Sequence, residues 1–186
     1  KKLLITTFDL GAVEDGEIRR WAPRYLSNFS PDSDGDVSIV DACMMSSAAP
    51  TYFPSHENCI DGGVYANNPS MVALTQSLRH LGVPLEDVCI LSMGTGFFPE
   101  ALSEGTHNWG VAQWVHPLLG ILFDGASETT SDQCRDLLGD RFVRINPRLP
   151  RQIPMDAPQQ LESLDAIAQE FVLDQGHVQR LHTFHP

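Results

Sequence analysis

The chain is poor in positive charge. Twelve Lys and Arg stand against 24 Asp and Glu in 186 residues, a formal net charge of −12. No basic stripe is available to neutralise phosphates, which excludes a nucleic-acid binder. No polybasic cluster is present to hold the chain on an anionic membrane. Long hydrophobic runs are missing too. Pro or Gly soon breaks each apolar stretch, whereas roughly twenty apolar residues are needed for a helix to span a bilayer. Cysteine is scarce: Cys43, Cys59, Cys89 and Cys134, with no C-x-x-C and no Cys/His spacing that reads as a zinc site. The first three lie in apolar segments, where a free Cys behaves as a small hydrophobe. A reducing compartment is the simpler reading, with two buried disulfides as the alternative. No signal peptide is visible, so the expected location is the cytoplasm, with secretion or delivery outside the cell left open. The sequence opens at Lys1, without an initiator Met and directly before a strand-like run, and the natural protein is expected to begin earlier.

Several catalytic signatures are also lacking. The seven histidines (His56, His80, His107, His116, His177, His182 and His185) form no HExxH, and none has an acidic partner evident in sequence. They read as surface or helix-end residues, and His80 beside Arg79 suits the negative end of a helix dipole. No GxSxG nucleophile elbow exists. The nearest miss, Gly125-Ala126-Ser127-Glu128-Thr129, ends in Thr, and Ser127 reads as a helix start. Ser46 and Ser47 fall inside a predicted helix without the elbow's glycines. Gly94-Thr95-Gly96 follows a strand, where glycines can cradle phosphate. No Lys follows and no GxGxxG completes it, so a tight turn is the better reading. Asp32-Ser33-Asp34-Gly35-Asp36 is similar to a calcium loop. Its Gly stands at the fourth place rather than the sixth, and Cys43 takes the twelfth, so it reads as a solvated turn.

What is present suits one folded domain. Hydrophobic residues make up 42% and charged residues 19%, outside the disordered and fibrous ranges. Leu3–Phe8 is apolar and β-branched and reads as a buried strand. Gly11 to Gly16 is a turn, and Asn28 to Asp36 a loop. Ser38 with Asp41 resembles a capping box and opens a helix of small residues that ends before Pro50. Cys59-Ile60 is too short to show a period. Asn68 and Pro69 suit the start of the next helix, and Gly82 and Pro84 its end. Val88–Leu91 is a short strand. Residues 109–139 read as helix broken at Pro117 and Gly120, with Trp109–Phe123 either ordinary core or the wall or flap of an acyl pocket. Arg141–Ile145 alternates and reads as a strand, and a last helix starts from Asp156 with Gln159 as capping partner. This alternation predicts an α/β layer architecture.

In such a sheet, function sits at loops beyond strand ends. Asp61-Gly62-Gly63 is such a place. A carboxylate at a strand end, followed by two glycines, can be partly buried while the backbone passes close to a reacting group. Such an Asp could serve as a base, because burial raises the pKa of a carboxyl that otherwise titrates near ~3.9. The plainer reading is a turn.

Three stretches, taken together in this order and spacing, resemble the patatin-like phospholipase family. They are Ser46-Ser47-Ala48-Ala49-Pro50-Thr51-Tyr52-Phe53-Pro54, Asp61-Gly62-Gly63-Val64-Tyr65-Ala66-Asn67-Asn68-Pro69, and Leu91-Ser92-Met93-Gly94-Thr95-Gly96. Weaker similarity continues through 114–138, 141–147 and the last helix. The resemblance implies that residues 1–186 are the C-terminal part of a single patatin-like catalytic domain. The implied fold is a three-layer α/β/α sheet present without its N-terminal portion, with an unpaired edge where strands are missing.

The resemblance further implies a serine lipid acyl hydrolase, of phospholipase A or esterase type, working through a Ser–Asp dyad and an acyl-enzyme. Asp61 matches the dyad's proton acceptor, and Asp61, Gly62 and Gly63 match its motif. No histidine, metal or cofactor is then needed. The implied partner is a lipid or fatty-acyl ester, with transient contact at a membrane surface; no oligomeric state is implied. The family's glycine-rich oxyanion loop and GxSxG serine precede the strand that opens this sequence, and neither is in these residues. The 186 residues alone are therefore expected to be inactive, as a trimmed or processed part of the enzyme. The competing expectations are a non-catalytic patatin-like module that binds lipid or a partner, and a nucleotide-binding domain built on Gly94-Thr95-Gly96.

Overall fold

The computed structural model describes residues 1–29, 37–99, 101–102 and 105–173, with the side chains of His116, Val172 and Leu173 left aside. The calcium-like Asp32–Asp36 stretch and His177, His182 and His185 lie outside the described residues. The fold is mixed α/β, as the alternation predicts, and the chain forms two compact units. One comprises Lys1–Val83 with Gly120–Thr130, the other Pro84–Leu119 with Ser131–Pro186.

The first unit is built on strand β1 (Leu4–Asp9), flanked antiparallel by β4 (Ala22–Ser27) and β5 (Cys59–Asp61). Helix α1 (Ile39–Ser46) packs on this sheet. Ala42, Met45, Leu26 and Cys59 are buried together, with Ile5 and Val37 against them. The small residues of α1 allow this close packing, although Cys43 is exposed rather than part of the core. All four cysteines are free thiols.

Ser38 caps α1 as its sequence suggests, since its Oγ accepts the Asp41 N–H at 3.0 Å. A one-turn helix α2 (Gly63–Ala66) follows β5 and leads to α3 (Ser70–Leu81), closed by left-handed Gly82. The α3 boundary lies one residue later than Asn68 and Pro69 suggest, but Asn68 Oδ1 still accepts the Ser70 N–H at 3.2 Å.

Gly11 to Gly16 is more than a turn. Strands β2 (Ala12–Glu14) and β3 (Glu17–Arg19) form a hairpin around Asp15-Gly16, both at positive φ (51° and 83°). That is the geometry a two-residue hairpin loop requires. Asp9 anchors the hairpin through an ion pair with Arg19 and the Gly11 N–H. Burial alone would raise the Asp9 carboxyl, but the hydrogen bonds from Arg19 and Gly11 and the charges of Arg19 and Arg24 outweigh it and hold its pKa down.

In the second unit β6 (Ile90–Met93) and β7 (Phe142–Ile145) run parallel and, among the described residues, pair only with each other. Both strands start later than their sequences suggest. Leu85–Asp87 forms a 3-10 turn, and the Arg141 guanidinium donates to the carbonyls of Leu85 and Val88 instead of joining the ladder. Leu91 and Met93 are exposed.

Helix α4 (Val111–Leu138) is continuous over 28 residues, with Pro117 inside it rather than ending it. Pro117 removes one N–H bond near the start of a long helix, and Gln113 Oε1 caps that start by accepting the Gly110 N–H at 3.0 Å. Val111, Val115, Leu118 and Leu119 are exposed. The last helix, α5, starts at Leu161 after the 3-10 turn Pro158–Gln160; the expected cap from Asp156 and Gln159 is not formed.

One pairing invisible in sequence joins α1 to the turn before β5: His56 Nε2 lies 2.9 Å from Asp41 Oδ1. Ser38 Oγ donates to the other Asp41 oxygen at 2.6 Å. Hydrogen bonds from Ser38 and then from His56 hold the Asp41 carboxyl below its ordinary range. Because the folded pKa lies below the unfolded one, near ~3.9, this stabilisation is complete above about pH 4. It is lost as acid carries the pH down through the folded value. Thermal melting of Asp41→Asn against wild type is therefore expected to show a Tm gap at pH 7 that narrows towards about pH 3; an unchanged gap would contradict the pairing.

Candidate active site

The chain enters β5 through a tight hairpin. Residues His56 and Cys59 exchange backbone hydrogen bonds of 3.0 and 2.8 Å. Glu57 and Asn58 between them sit at positive φ, 46° and 58°. Such a turn fixes register, and β5 pairs with β1 so that Asp61 stands opposite Thr7 and Cys59 opposite Asp9. The Asp61 N–H donates to Ala48 O at 3.1 Å, and Thr7 Oγ1 donates to Ile60 O at 2.7 Å. The backbone that carries Asp61 is thus tied both to β1 and to the turn after α1.

The next two residues decide where the carboxylate points. Gly62 has helical dihedrals that any residue could adopt (φ −66°, ψ −14°). Its requirement is space: a Cβ there would lie 2.5 Å from the Thr6 carbonyl carbon and oxygen and 2.6 Å from Thr6 Oγ1. Only glycine lets the chain pass so close to β1. Having turned there, the chain presents the Gly63 N–H to Asp61 Oδ1 at 2.7 Å. Gly63 is under looser constraint, because a Cβ would lie 3.2 Å from Asp61 Oδ1 and at ordinary contact distance, 3.8 and 3.9 Å, from Asp61 Cγ and Asn67 Oδ1. Asp61 is half-buried, and its Oδ2 has no partner among the described residues. One oxygen is thus fixed by the backbone.

Tyr65, in α2, anchors this turn. Its ring lies 5.9 Å from that of Phe8 and 6.2 Å from that of Tyr25, and burial, with a smaller effect from Tyr25, pushes its phenol well above the ordinary value. It is therefore a neutral packing residue at any physiological pH.

The other sequence candidates are already engaged. Ser46 Oγ donates to Thr6 O at 2.8 Å and Ser47 Oγ to Cys43 O at 2.8 Å. Ser92 Oγ accepts from Arg144 at 2.8 Å, and Ser127 is buried. Gly94-Thr95-Gly96 is bound by its own unit: Gly94 N–H donates to Ile145 O at 2.8 Å, and Gly96 N–H to Asn146 Oδ1 at 3.0 Å. A loop that spends these donors internally is a turn rather than a phosphate cradle. Among the described residues no cluster of His, Cys, Asp or Glu has the make-up of a metal site. No helix there is long and apolar enough to cross a membrane. The sequence did not reveal the His56–Asp41 pair, nor the reach of the Asn67 and Asn68 side chains to α4, where Asn68 Nδ2 donates to Ser127 O at 3.3 Å. Such contacts between distant positions leave no local pattern.

The chain is similar to the patatin-like phospholipase family, whose model matches residues 4–74. That stretch holds β1, α1 and the Asp61-Gly62-Gly63 turn. CotR of Bacillus subtilis is 28% identical over 176 residues, covering 81% of this chain and 54% of CotR. Protein teg of Priestia megaterium is 29% identical over 194 residues, covering 90% of this chain and 60% of that protein. A cGAMP-activated phospholipase of Escherichia coli is 35% identical over 111 residues, 48% of this chain and 31% of that enzyme. The chain thus spans 54% of the length of CotR and 60% of that of teg.

The two glycines make a sharp comparison. Gly62→Ala forces a methyl group against backbone atoms of β1 and is expected to destabilise by about 1–3 kcal/mol. Gly63→Ala asks only for a small shift of a side-chain oxygen and removes unfolded-state freedom, so it should stay within about 1 kcal/mol of wild type. Parallel denaturant melts measure both. Equal losses would contradict the close approach to Thr6.

Proposed function

We propose that residues 1–186 are the Asp-bearing, C-terminal part of a single patatin-like catalytic domain, and that the whole protein is a serine lipid acyl hydrolase. The observation that carries this reading is the Asp61 carboxylate. It stands at a strand end inside the matched stretch, with Oδ1 held by the Gly63 N–H and Oδ2 unpartnered among the described residues. The nucleophile is a GxSxG serine that these residues do not contain, supplied with its oxyanion loop by the rest of the protein.

In this mechanism Asp61 Oδ2 takes the serine hydroxyl proton as Oγ attacks the ester carbonyl. The tetrahedral intermediate collapses, the ester C–O bond breaks, and the departing alcohol or lysolipid takes the proton from Asp61. Water then attacks the acyl-enzyme, with Asp61 again as base, to release the fatty acid and restore the serine. A backbone N–H on Oδ1 keeps the carboxylate aimed, the orienting role a third group plays in a triad. The reaction needs neither histidine nor metal. The exposed Val111, Val115, Leu118 and Leu119 of α4 support transient contact with a lipid surface.

The test is the whole protein carrying Asp61→Asn, assayed on a phospholipid and melted in parallel. The variant keeps the shape and cannot take the proton, so kcat is expected to fall about 10²–10⁴-fold with little change in Tm. Retention of more than about a tenth of wild-type kcat would reject Asp61 as the base. The 186-residue chain run alongside should neither hydrolyse a short-chain nitrophenyl ester nor react with a fluorophosphonate. Stoichiometric labelling at Ser46, Ser47, Ser92 or Ser127 would overturn the missing-serine assignment. A whole protein that turns over no ester at all would instead indicate the non-catalytic lipid- or partner-binding module.

A further inference from the structure

Two consecutive side chains beyond Asp61 have a use that helix capping does not explain. Asn67 Nδ2 lies 3.4 Å from Phe123 O, and Asn68 Nδ2 lies 3.3 Å from Ser127 O. Phe123 and Ser127 are an i, i+4 pair on α4, so their carbonyls sit one above the other on one side of the helix. Each carbonyl has a second lone pair besides the one used within the helix. The pair of amides therefore grips α4 at two stacked points. The grip is directional for Asn68, which is 2% exposed and whose Oδ1 is occupied by the Ser70 N–H at 3.2 Å and the Ser70 Oγ at 2.6 Å.

The segment so held is short. Between Asp61 and Asn67 lie only Gly62 and the single turn of α2, which has no side-chain cap of its own. Its first N–H, from Gly63, orients Asp61 Oδ1 at 2.7 Å. Its last turn ends at Asn67. Resting on the reading of Asp61 as the base, we infer that Asn67 and Asn68 are positioning residues. They register α2 against α4 and thereby fix the direction of the Asp61 carboxylate. A one-turn helix cannot hold itself in water, because nucleation is unfavourable and few bonds repay it. Tyr65 holds one side of α2 against Phe8 and Tyr25; without the clamp the side facing α4 is released and the Gly63 N–H loses its aim. A displacement of about 1 Å at a reacting group can cost up to about 10²-fold in rate.

The test uses the whole protein and substitutes the exposed member of the clamp, with Asp61→Asn as a control. Asn67→Ala removes the donor; Asn67→Asp keeps the shape and turns a carboxylate oxygen towards Phe123 O. Both are expected to lower kcat on a phospholipid by about tenfold or more, with KM within about twofold and Tm within a few degrees of wild type. Hydrogen exchange at residues 63–66 should accelerate in both. A merely structural role predicts lost Tm at unchanged kcat of the folded fraction. If both variants keep more than half of wild-type kcat while Asp61→Asn is inactive, the clamp does not position the base and the inference falls. If both fail to fold, the clamp serves stability and the inference also falls. If Asp61→Asn itself stays active, the reading of Asp61 fails instead, independently of the clamp.

Discussion

The backbone of Gly62 runs against Thr6 at a distance that leaves no room for a Cβ, and the geometry of the site follows from that approach. With the chain turned there, the Gly63 N–H reaches Asp61 Oδ1 at 2.7 Å and a one-turn helix starts. β5 must be in register with β1 for this to occur, and the register is set by the hairpin at His56–Cys59 and by the Asp61 N–H bond to Ala48 O. The sheet, the turn after α1 and the glycine together place one carboxylate with one oxygen committed and the other open.

That arrangement suits a base better than an ion pair. A carboxylate locked to a guanidinium would hold its proton affinity low and its oxygens occupied. Two other carboxylates of the first unit that have side-chain partners, Asp9 with Arg19 and Asp41 with His56, bind structure together: one holds a hairpin, the other ties α1 to the turn before β5. Asp61 instead receives a backbone dipole, which orients without neutralising. The charge balance of the chain fits the same picture. With 24 acidic against 12 basic residues, the chain exposes Val111, Val115, Leu118 and Leu119 on α4 as an apolar rather than a cationic surface.

Much of this was legible in the residues. Ser38 with Asp41, Pro50 and Gly82 mark helix ends because their chemistry is local. Asp61-Gly62-Gly63 reads as a site only beside the two other patatin-like stretches, since three residues alone cannot be told from a turn. Strands β2 to β4 were missed for distinct reasons. Asp15-Gly16 is the hairpin signal, but Val13 and Ile18 are exposed and show no buried face. Pro23 argues against a strand, and is tolerated because β4 is at the edge of its sheet. Pro117 and Gly120 suggested breaks in α4 because propensity ranks them as breakers, yet a long helix with a capped start absorbs them. The contacts of His56 with Asp41, and of Asn68 with Ser127, join positions whose approach only the fold creates.

If Asp61 is the base, its Oδ2 faces the nucleophile with nothing between them. The most direct measurement is a crystal structure of the whole protein after reaction with a fluorophosphonate, paired with the unreacted enzyme. The labelled serine is expected to be the GxSxG serine and, before labelling, its Oγ to lie about 2.6–3.2 Å from Asp61 Oδ2. A histidine imidazole bridging the two, or a labelled serine out of reach of Asp61 with no water joining them, would contradict it.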